Sequence, residues 1–288
     1  MQLSKKICHW WKKVTPGWVL VYVFMTLLAV VSALPLVYMV VTAFKPLEEL
    51  LRFPPRFFVQ RPVLTNFSDL FQSLDGRSVP FTRYVFNSVF TTTISVVLTL
   101  TICTMGAYAV DKVRMRGSKA FNSMIVYALM FSAPAAQIPI YMSVAKAGLM
   151  NTYGALILPG LATPMYFFLM KQFISQLPEP LVESARLDGA SEGRILVSIV
   201  MPSVKPALAT VAVFAFISNW NNTTGSAIYI QDQAMKTLPY ALSTISSGGL
   251  ARAGAAAAAS LLITLPTILV YLLMQTQVMK TMLYAGIK

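Results

Sequence analysis

The sequence predicts an all-α integral membrane protein that crosses the bilayer six times. Three observations carry this reading. Of 288 residues, 56% are hydrophobic and only 11% are charged, a balance more apolar than a soluble chain of this size shows. The stretches 18–44, 84–110, 120–145, 152–170, 206–231 and 253–279 contain no Asp, Glu, Lys or Arg; five exceed the roughly 20 apolar residues that cross a hydrocarbon core, and 152–170 nearly reaches it. Finally, 23 Lys and Arg against 10 Asp and Glu give a net charge of +13, and its placement, not nucleic-acid binding, accounts for it. The compact cluster Lys112, Arg114, Arg116 and Lys119 marks a short cytoplasmic loop, which sets both termini on the cytoplasmic side. Two cysteines, Cys8 and Cys103, allow no disulfide framework.

Residues 1–17 read as a cytoplasmic amphipathic amino terminus, with Lys5, Lys6, Lys12 and Lys13 followed by interfacial Trp10, Trp11 and Trp18. The lone histidine, His9, is a surface residue of this anchor. The stretch 18–44 is far longer than the ~7–15 residues of a signal h-region, so it is the first transmembrane helix. Residues 45–83 form an extracellular or periplasmic loop whose Phe53-Pro54-Pro55-Arg56 run and Asp75-Gly76 turn predict short irregular structure. The second span follows. In the third, Pro134 and Pro139 break the hydrogen-bond ladder, which lipid tolerates only where neighbours or a water-filled cavity satisfy the freed carbonyls. The fourth carries Pro159, Gly160 and Pro164 and is expected inside the protein.

Segment 171–205 is the most polar long stretch of the cytoplasmic side. Leu181, Ala185, Leu187, Ile195 and Ile199 recur at helical spacing around Gly189, which predicts two short helices and a turn lying on the membrane face. The fifth span, 206 to about 230, contains Asn219, Trp220, Asn221 and Asn222. Residues 232–252 are external, and Pro239 with the paired glycines predicts a loop. The sixth span opens on Ala255 to Ala259, small residues that permit close helix packing. There is no internal repeat and no carboxylate in any of the six stretches, which gives a secondary transporter no support. Nor is there a Walker loop, metal cluster or acid–base pair, so the chain is not expected to be an enzyme or to bind a cofactor directly.

One motif is specific. Glu183-Ser184-Ala185, Gly189 after three residues, Ile199 after nine more, and Met201-Pro202 after one resemble the E-A-A, G, I, L-P signature loop of ABC-importer permeases, with Ser184 and Met201 as the two departures. Its physical logic is that a membrane protein presents a rigid amphipathic element to a soluble motor. Gly189 suits a turn with φ > 0, and Glu183, near the start of the first short helix, suits the helix dipole. Further blocks are similar to the carbohydrate branch of that family, the maltose-permease second-subunit type: Leu64-Thr65-Asn66-Phe67, Tyr84-Val85-Phe86-Asn87-Ser88, Gln137-Ile138-Pro139-Ile140-Tyr141, Asn151-Thr152-Tyr153-Gly154, Ala185 to Ser191, and Thr237-Leu238-Pro239. Relatives commonly follow the span-five Trp-Asn with an acidic residue. This chain has Asn221-Asn222-Thr223 instead.

The resemblance implies a five-helix type I ABC importer permease core over 84–288, with 171–205 as its cytoplasmic coupling loop, in the inner (cytoplasmic) membrane of a bacterium. The expected cargo is a sugar, a di- or oligosaccharide; an amino-acid or peptide importer is the alternative. Expected partners are a second homologous permease, two ATP-binding subunits that hold ATP and magnesium, an extracellular sugar-binding protein, and the lipid bilayer. ATPase coupling falls to Glu183, Ser184, Ala185, Asp188, Gly189, Ala190, Ile199, Met201 and Pro202. The tail Ala285, Gly286, Ile287 and Lys288 is expected at the ATPase interface, and Ser246, Ser247, Gly248 and Gly249 at the binding protein. Asn87, Gln137, Asn219, Trp220, Asn221 and Asn222 are candidates for the translocation path, each with an interhelical role as the competing reading.

Overall fold

The computed structural model describes residues 16–75, 79–131, 133–161, 163–246 and 252–286. Among them every regular element is helical. Helix α1 (Pro16–Ala43) is followed by α2 (Leu47–Leu50), α3 (Thr65–Asp75) and α4 (Phe81–Val113), whose last turn from Ala109 is π-helical. Next come α5 (Ser118–Met130), α6 (Ala133–Lys146), α7 (Tyr153–Leu161) and α8 (Pro164–Ser175). The polar element comprises α9 (Glu179–Leu187) and α10 (Glu192–Ser203). The chain closes with α11 (Lys205–Trp220), α12 (Thr223–Tyr229), α13 (Leu238–Ser246) and α14 (Ala253–Gly286).

Among the described residues three helices, α1, α4 and α14, are long and apolar enough to cross a membrane singly, and counting each bent pair as one crossing gives up to six. The bends follow proline and helix-end chemistry. In the third span, Pro134 takes a first-turn position in α6, and α5 and α6 lie at 117°, because proline starts a helix without needing its missing N–H. Pro139 stays inside α6, so only one of the two prolines marks the break. Pro164 likewise starts α8, at 45° to α7.

Three expectations need correction. The stretch 45–83 is not simply irregular, since α3 is an 11-residue amphipathic helix whose Leu70 and Leu74 are fully buried. Residues 238–246 form α13 rather than loop, with Pro239 in its first turn where proline is tolerated. The fifth span stops at Trp220, and Asn222 caps a separate helix, α12, accepting a bond from the Gly225 N–H at 2.8 Å.

Among the described residues two large apolar clusters, outer and inner in the expected orientation, organise the two ends of the fold beside a small third one at Val144, Ala155 and Tyr229. The outer one joins Ala43, Leu70, Tyr84, Trp220, Leu242, Ile245, Ala258 and Ala259. The inner one joins Cys103, Ala107, Met170, Ile174, Val182, Ala185, Ile195, Val200 and Val211. Helix α4 starts in the outer cluster and ends in the inner one, whereas α11 runs from inner to outer, so the two are antiparallel. The alanine run that opens α14 packs as its small residues predict: Ala255, Ala258 and Ala259 are buried in the outer cluster. Helix α1 is different. From Gly17 to Tyr38 it presents large apolar side chains on every side, Leu20 at 71% exposure and Leu27 at 63% among them.

The outer end of α1 is fastened by Asn66, 6% exposed, whose Nδ2 donates to the carbonyls of Ala43 at 2.9 Å and Lys45 at 2.7 Å. Gly254 accommodates it, since a Cβ there would sit 2.1 Å from Asn66 Oδ1. Asn66→Ala leaves two buried carbonyls unpaired and should destabilise the detergent-purified protein by about 1–3 kcal/mol, read as a lower Tm. Gly254→Ala should also lower Tm, but less when combined with Asn66→Ala, because the second change removes the clash.

Candidate functional site

The polar element α9–α10 is built from the sequence upward. Helix α9 begins at Pro178 and Pro180, and it carries Glu179 in its first turn. It ends in a Schellman turn: the Ala190 N–H donates to Ala185 O at 3.0 Å, the Gly189 N–H donates to Arg186 O at 3.0 Å, and Gly189 has φ +79°. The expected glycine turn is therefore present. Ser191 then caps α10, accepting from the Arg194 N–H. An 84° bend separates α10 from α11, so α10 lies across the direction in which α11 enters the bundle, consistent with an element resting on the membrane face.

The signature positions divide into two groups. Ala185 belongs to the inner cluster, and Ala190, Ile199 and Met201 pack against it, which anchors the element. Glu183, Ser184, Asp188, Gly189 and Pro202 are exposed, and Leu187 at the turn is 89% exposed. A Cβ at Gly189 would meet nothing within 4 Å, so the turn is an open tip. Glu183 is not at the start of its helix. It occupies the middle of α9, where the dipole effect has faded, and Glu179 holds the first-turn place instead. Glu183 lines a cleft of about 170 Å³ with Lys112, Arg114, Glu179 and Arg186.

A charged network fastens this element to α4. The Arg186 guanidinium donates through Nε to Glu192 Oε1 at 2.8 Å and through Nη2 to Glu192 Oε2 at 3.3 Å, bridging α9 and α10 across the Gly189 turn. Tyr108 Oη donates to Glu192 Oε2 at 2.5 Å, Arg186 Nη2 to the Lys112 carbonyl at 3.2 Å, and Lys112 Nζ to Leu177 O at 2.8 Å. Arg114 pairs with Glu179. The Arg186 hydrogen bond, then the Tyr108 one, holds the Glu192 carboxyl below its ordinary value of 4.5. Sequence reading did not single out Arg186, Glu192 or Tyr108; the only available signal was the opposite charge of residues 186 and 192 flanking the turn.

At the outer end, three distant sequence blocks meet. Asn87, fully buried, donates to the carbonyls of Ala234 and Lys236, both at 2.8 Å, and accepts from Tyr153 Oη at 2.7 Å. Ser88 Oγ accepts from the Leu238 N–H at 2.7 Å. Asn151, with φ +59°, accepts from the Gln231 and Asp232 N–H groups and donates its own N–H to Tyr229 O at 2.8 Å. Trp220 is buried, donates through Nε1 to Ile263 O at 3.0 Å and stacks on Phe216. Asn87 and Trp220 thus have interhelical partners.

The remaining path candidates sit at helix breaks. Gln137 is exposed on α6 just past the bend. Asn219 Nδ2 and Asn221 Nδ2 donate to the carbonyls of Ala215 at 2.8 Å and Ile217 at 2.9 Å. Asn219 and Asn222 line a crevice of about 10 Å³ with Thr91, Ser95 and Thr237; Ser95 Oγ and Thr237 Oγ1 have no protein partner among the described residues. Residues 1–15, together with Ser247, Gly248, Gly249, Ile287 and Lys288, lie outside the described residues. Ser246, and Ala285 with Gly286, are the last residues of α13 and α14.

The chain resembles proteins of one kind. Residues 114–283 match the family described as binding-protein-dependent transport system inner membrane component. It is 29% identical to the lactose transport system permease protein LacG of Rhizobium radiobacter, over 91% of this chain and 93% of that one. Identity to the arabinooligosaccharides transport system permease protein AraQ of Halalkalibacterium halodurans is 27%, over 96% and 99%. A chain of a bacterial ABC transporter involved in the import of the acidic polysaccharide alginate superposes with a TM-score of 0.74 at 24% identity, over 90% of this chain and 95% of that one.

Because the Glu192 carboxyl is held below its ordinary value, its link stabilises the element fully above about pH 4.5 and is lost as pH falls through the lower folded value. Amide exchange over 185–195, corrected for the intrinsic rate, should be flat from pH 7 to 5 and rise only once the pH falls below the ordinary carboxyl value of 4.5. Glu192→Gln should raise it about 1.4- to 5-fold at pH 7, matching the ~0.2–1 kcal/mol of a partly exposed pair.

Proposed function

The chain belongs to the family of binding-protein-dependent transport system inner membrane components, and from that premise we propose that it is a permease subunit of an ATP-driven importer for a sugar, a di- or oligosaccharide. The cargo class rests on the relatives' names, which specify lactose and arabinooligosaccharides. The mechanistic part rests on one observation, the anchored α9–α10 element with its open Gly189 tip and exposed Leu187.

The physical roles follow. A partner ATPase supplies the hydrolysis, with ATP and magnesium bound there. It receives the tip formed by Glu183, Ser184, Leu187, Asp188 and Gly189. Closure of the two ATPases pushes on this tip, and a motion so applied reaches the bundle through the contacts of Ala185, Ile199 and Met201 with the inner cluster and through the Arg186–Glu192–Tyr108 bridge. This is two-state coupling: the ATP-bound motors favour one arrangement of the two permeases by differential contact. The carboxyl-terminal tail, Ala285 to Lys288, adds to the ATPase interface.

A second homologous permease completes the path. The apolar surface that α1 exposes from Gly17 to Tyr38 among the described residues suits lipid on one side and that permease on the other. Gln137, Asn219, Asn221 and Asn222 face the path, while Asn87 and Trp220 hold the surrounding helices. An extracellular sugar-binding protein delivers the cargo and touches the segment after α13, including Ser246 to Gly249. Residues 1–17 lie in the cytoplasm, 45–83 and 232–252 outside, and 171–205 with both termini inside.

Gly189→Val tests the coupling role. A β-branched side chain at φ +79° strains the turn by about 1–3 kcal/mol and adds bulk at the tip, while nothing in the chain's own packing opposes it. The variant should insert and express normally but lose co-purifying ATPase, or lose hydrolysis stimulated by loaded binding protein. Glu183→Ala should act more mildly. Full assembly and stimulation in Gly189→Val would leave the loop as a mere connector. A reporter after Lys288 should be cytoplasmic and one near Asp75 external; a carboxyl terminus found outside overturns the six-crossing topology.

A further inference from the structure

The loop that turns α4 into α5 borders an open cavity of about 480 Å³ that the transport reading does not use. Its charged lining is mostly cationic, Arg114, Lys119 and Lys171 with Asp111 as the one carboxylate, and Ser118 and Asn122 are its neutral polar members. Asp111 lies 3.5 Å from Lys112 and Arg114 is paired with Glu179. Among the described residues Lys119 and Lys171 are in no ion pair, and Lys171 Nζ instead donates to the neutral Asn122 Oδ1 at 2.5 Å. Two cations without carboxylate partners therefore converge on one cavity.

The apolar surroundings say which anion. Helix α5 leaves the cavity at Ser118; Phe121 meets the Phe167 ring edge-on and Ile125 packs on the inner cluster, but none of its side chains is fully buried. Phe121 is 40% exposed, Met124 56% and Tyr127 66%, forming an apolar strip at helical spacing that starts one turn from the cations. Its 13 residues span about 20 Å, enough to run beside an acyl chain through one leaflet of about 15 Å, half the hydrocarbon core. Val110 and Met115 are the large apolar residues of the cavity lining. A free inorganic anion would use the cations and leave the strip without a role; a lipid uses both.

We propose that this cavity is a binding site for the phosphate headgroup of an anionic glycerophospholipid, held by Lys119 and Lys171 with Arg114 at its margin and with an acyl chain along α5. Basic pockets between membrane helices bind such headgroups through the same chemistry. The site lies on the face that carries α9, to which Arg114 is tied by its pair with Glu179.

The experiment is native mass spectrometry of the full chain, purified in a neutral detergent and offered phosphatidylglycerol, phosphatidylcholine or inorganic phosphate. Wild type should retain phosphatidylglycerol and not phosphatidylcholine. Lys119→Gln with Lys171→Gln should lower retention roughly 30-fold, about 2 kcal/mol at ~1 kcal/mol per lysine. A charge-matched pair outside the cavity, Arg116→Gln with Lys205→Gln, should retain it. Where the cavity double variant is not monodisperse, Lys171→Gln alone carries the test with a roughly fivefold loss. Equal retention of phosphatidylcholine, equal loss in the charge-matched pair, or unaltered retention in the cavity variants overturns the site. Thermal protection by inorganic phosphate as strong as that by phosphatidylglycerol overturns the lipid as its occupant.

Discussion

Helix α4 is the member on which both ends of the molecule depend. In lipid its backbone hydrogen bonds have no competing water partner, so it resists bending except at proline or at a local change of winding. From Asn87 to Tyr108 it contains neither proline nor a break, and those residues lie about 31 Å apart at 1.5 Å per residue. Asn87 and Ser88 hold the segment before α13 at Ala234, Lys236 and Leu238, while Tyr108 holds the polar element at Glu192 and Lys112 the chain just before it at Leu177. One uninterrupted helix thereby joins the segment at Ala234 to Leu238 to the polar element α9–α10. The winding changes only at Ala109–Val113, where a π-helical turn places Lys112 inward.

Much of this was legible in the sequence because membrane burial writes a strong signal. Charge-free stretches located the spans, and the signature spacing around Gly189 located the polar element and its turn. Helix breaks were less legible. Pro134 and Pro139 are chemically alike, yet only Pro134 marks a bend: a proline's effect depends on whether its carbonyl partner four residues back is needed, which is a tertiary fact. Asparagines in an apolar stretch were read as buried polar groups facing a partner or a path. Asn222 instead caps a helix, a use that a span assumed continuous conceals. Long-range hydrogen bonds such as Asn87 to Ala234 have no pattern in one sequence at all.

The blocks that resembled the carbohydrate branch acquire a physical reason from the fold. Asn87 and Ser88, Asn151 and Tyr153, and Thr237 with Leu238 are far apart in the chain yet meet around the external segment. Asn66 fastens α1 through two carbonyls. Between membrane helices the apolar contact competes with equally apolar lipid, so small-residue packing and such satisfied polar groups supply much of the specificity. Gly254 beneath Asn66 and Gly160 beneath Asn219, where a Cβ would approach Oδ1 to 2.1 and 2.9 Å, belong to the same solution: each gives a polar side chain room to reach its carbonyl.

The basic loop 111–119 shows why charge counting alone reads orientation but not use. Lys112 is buried and donates to the carbonyl that ends α8's connection at Leu177, a structural role for a residue that the orientation rule counts only as a charge. Arg114, with φ +53°, turns the chain and pairs with Glu179, so it borders both the cleft under α9 and the cavity before α5. Lys119 stands one residue into α5, on the cavity side of that turn. Lys112, Arg114 and Lys119 of one short loop thus have different partners within a few residues. A shift of α9 moves Glu179, and because Arg114 is its partner, such a shift alters the electrostatic field in the neighbouring cavity as well.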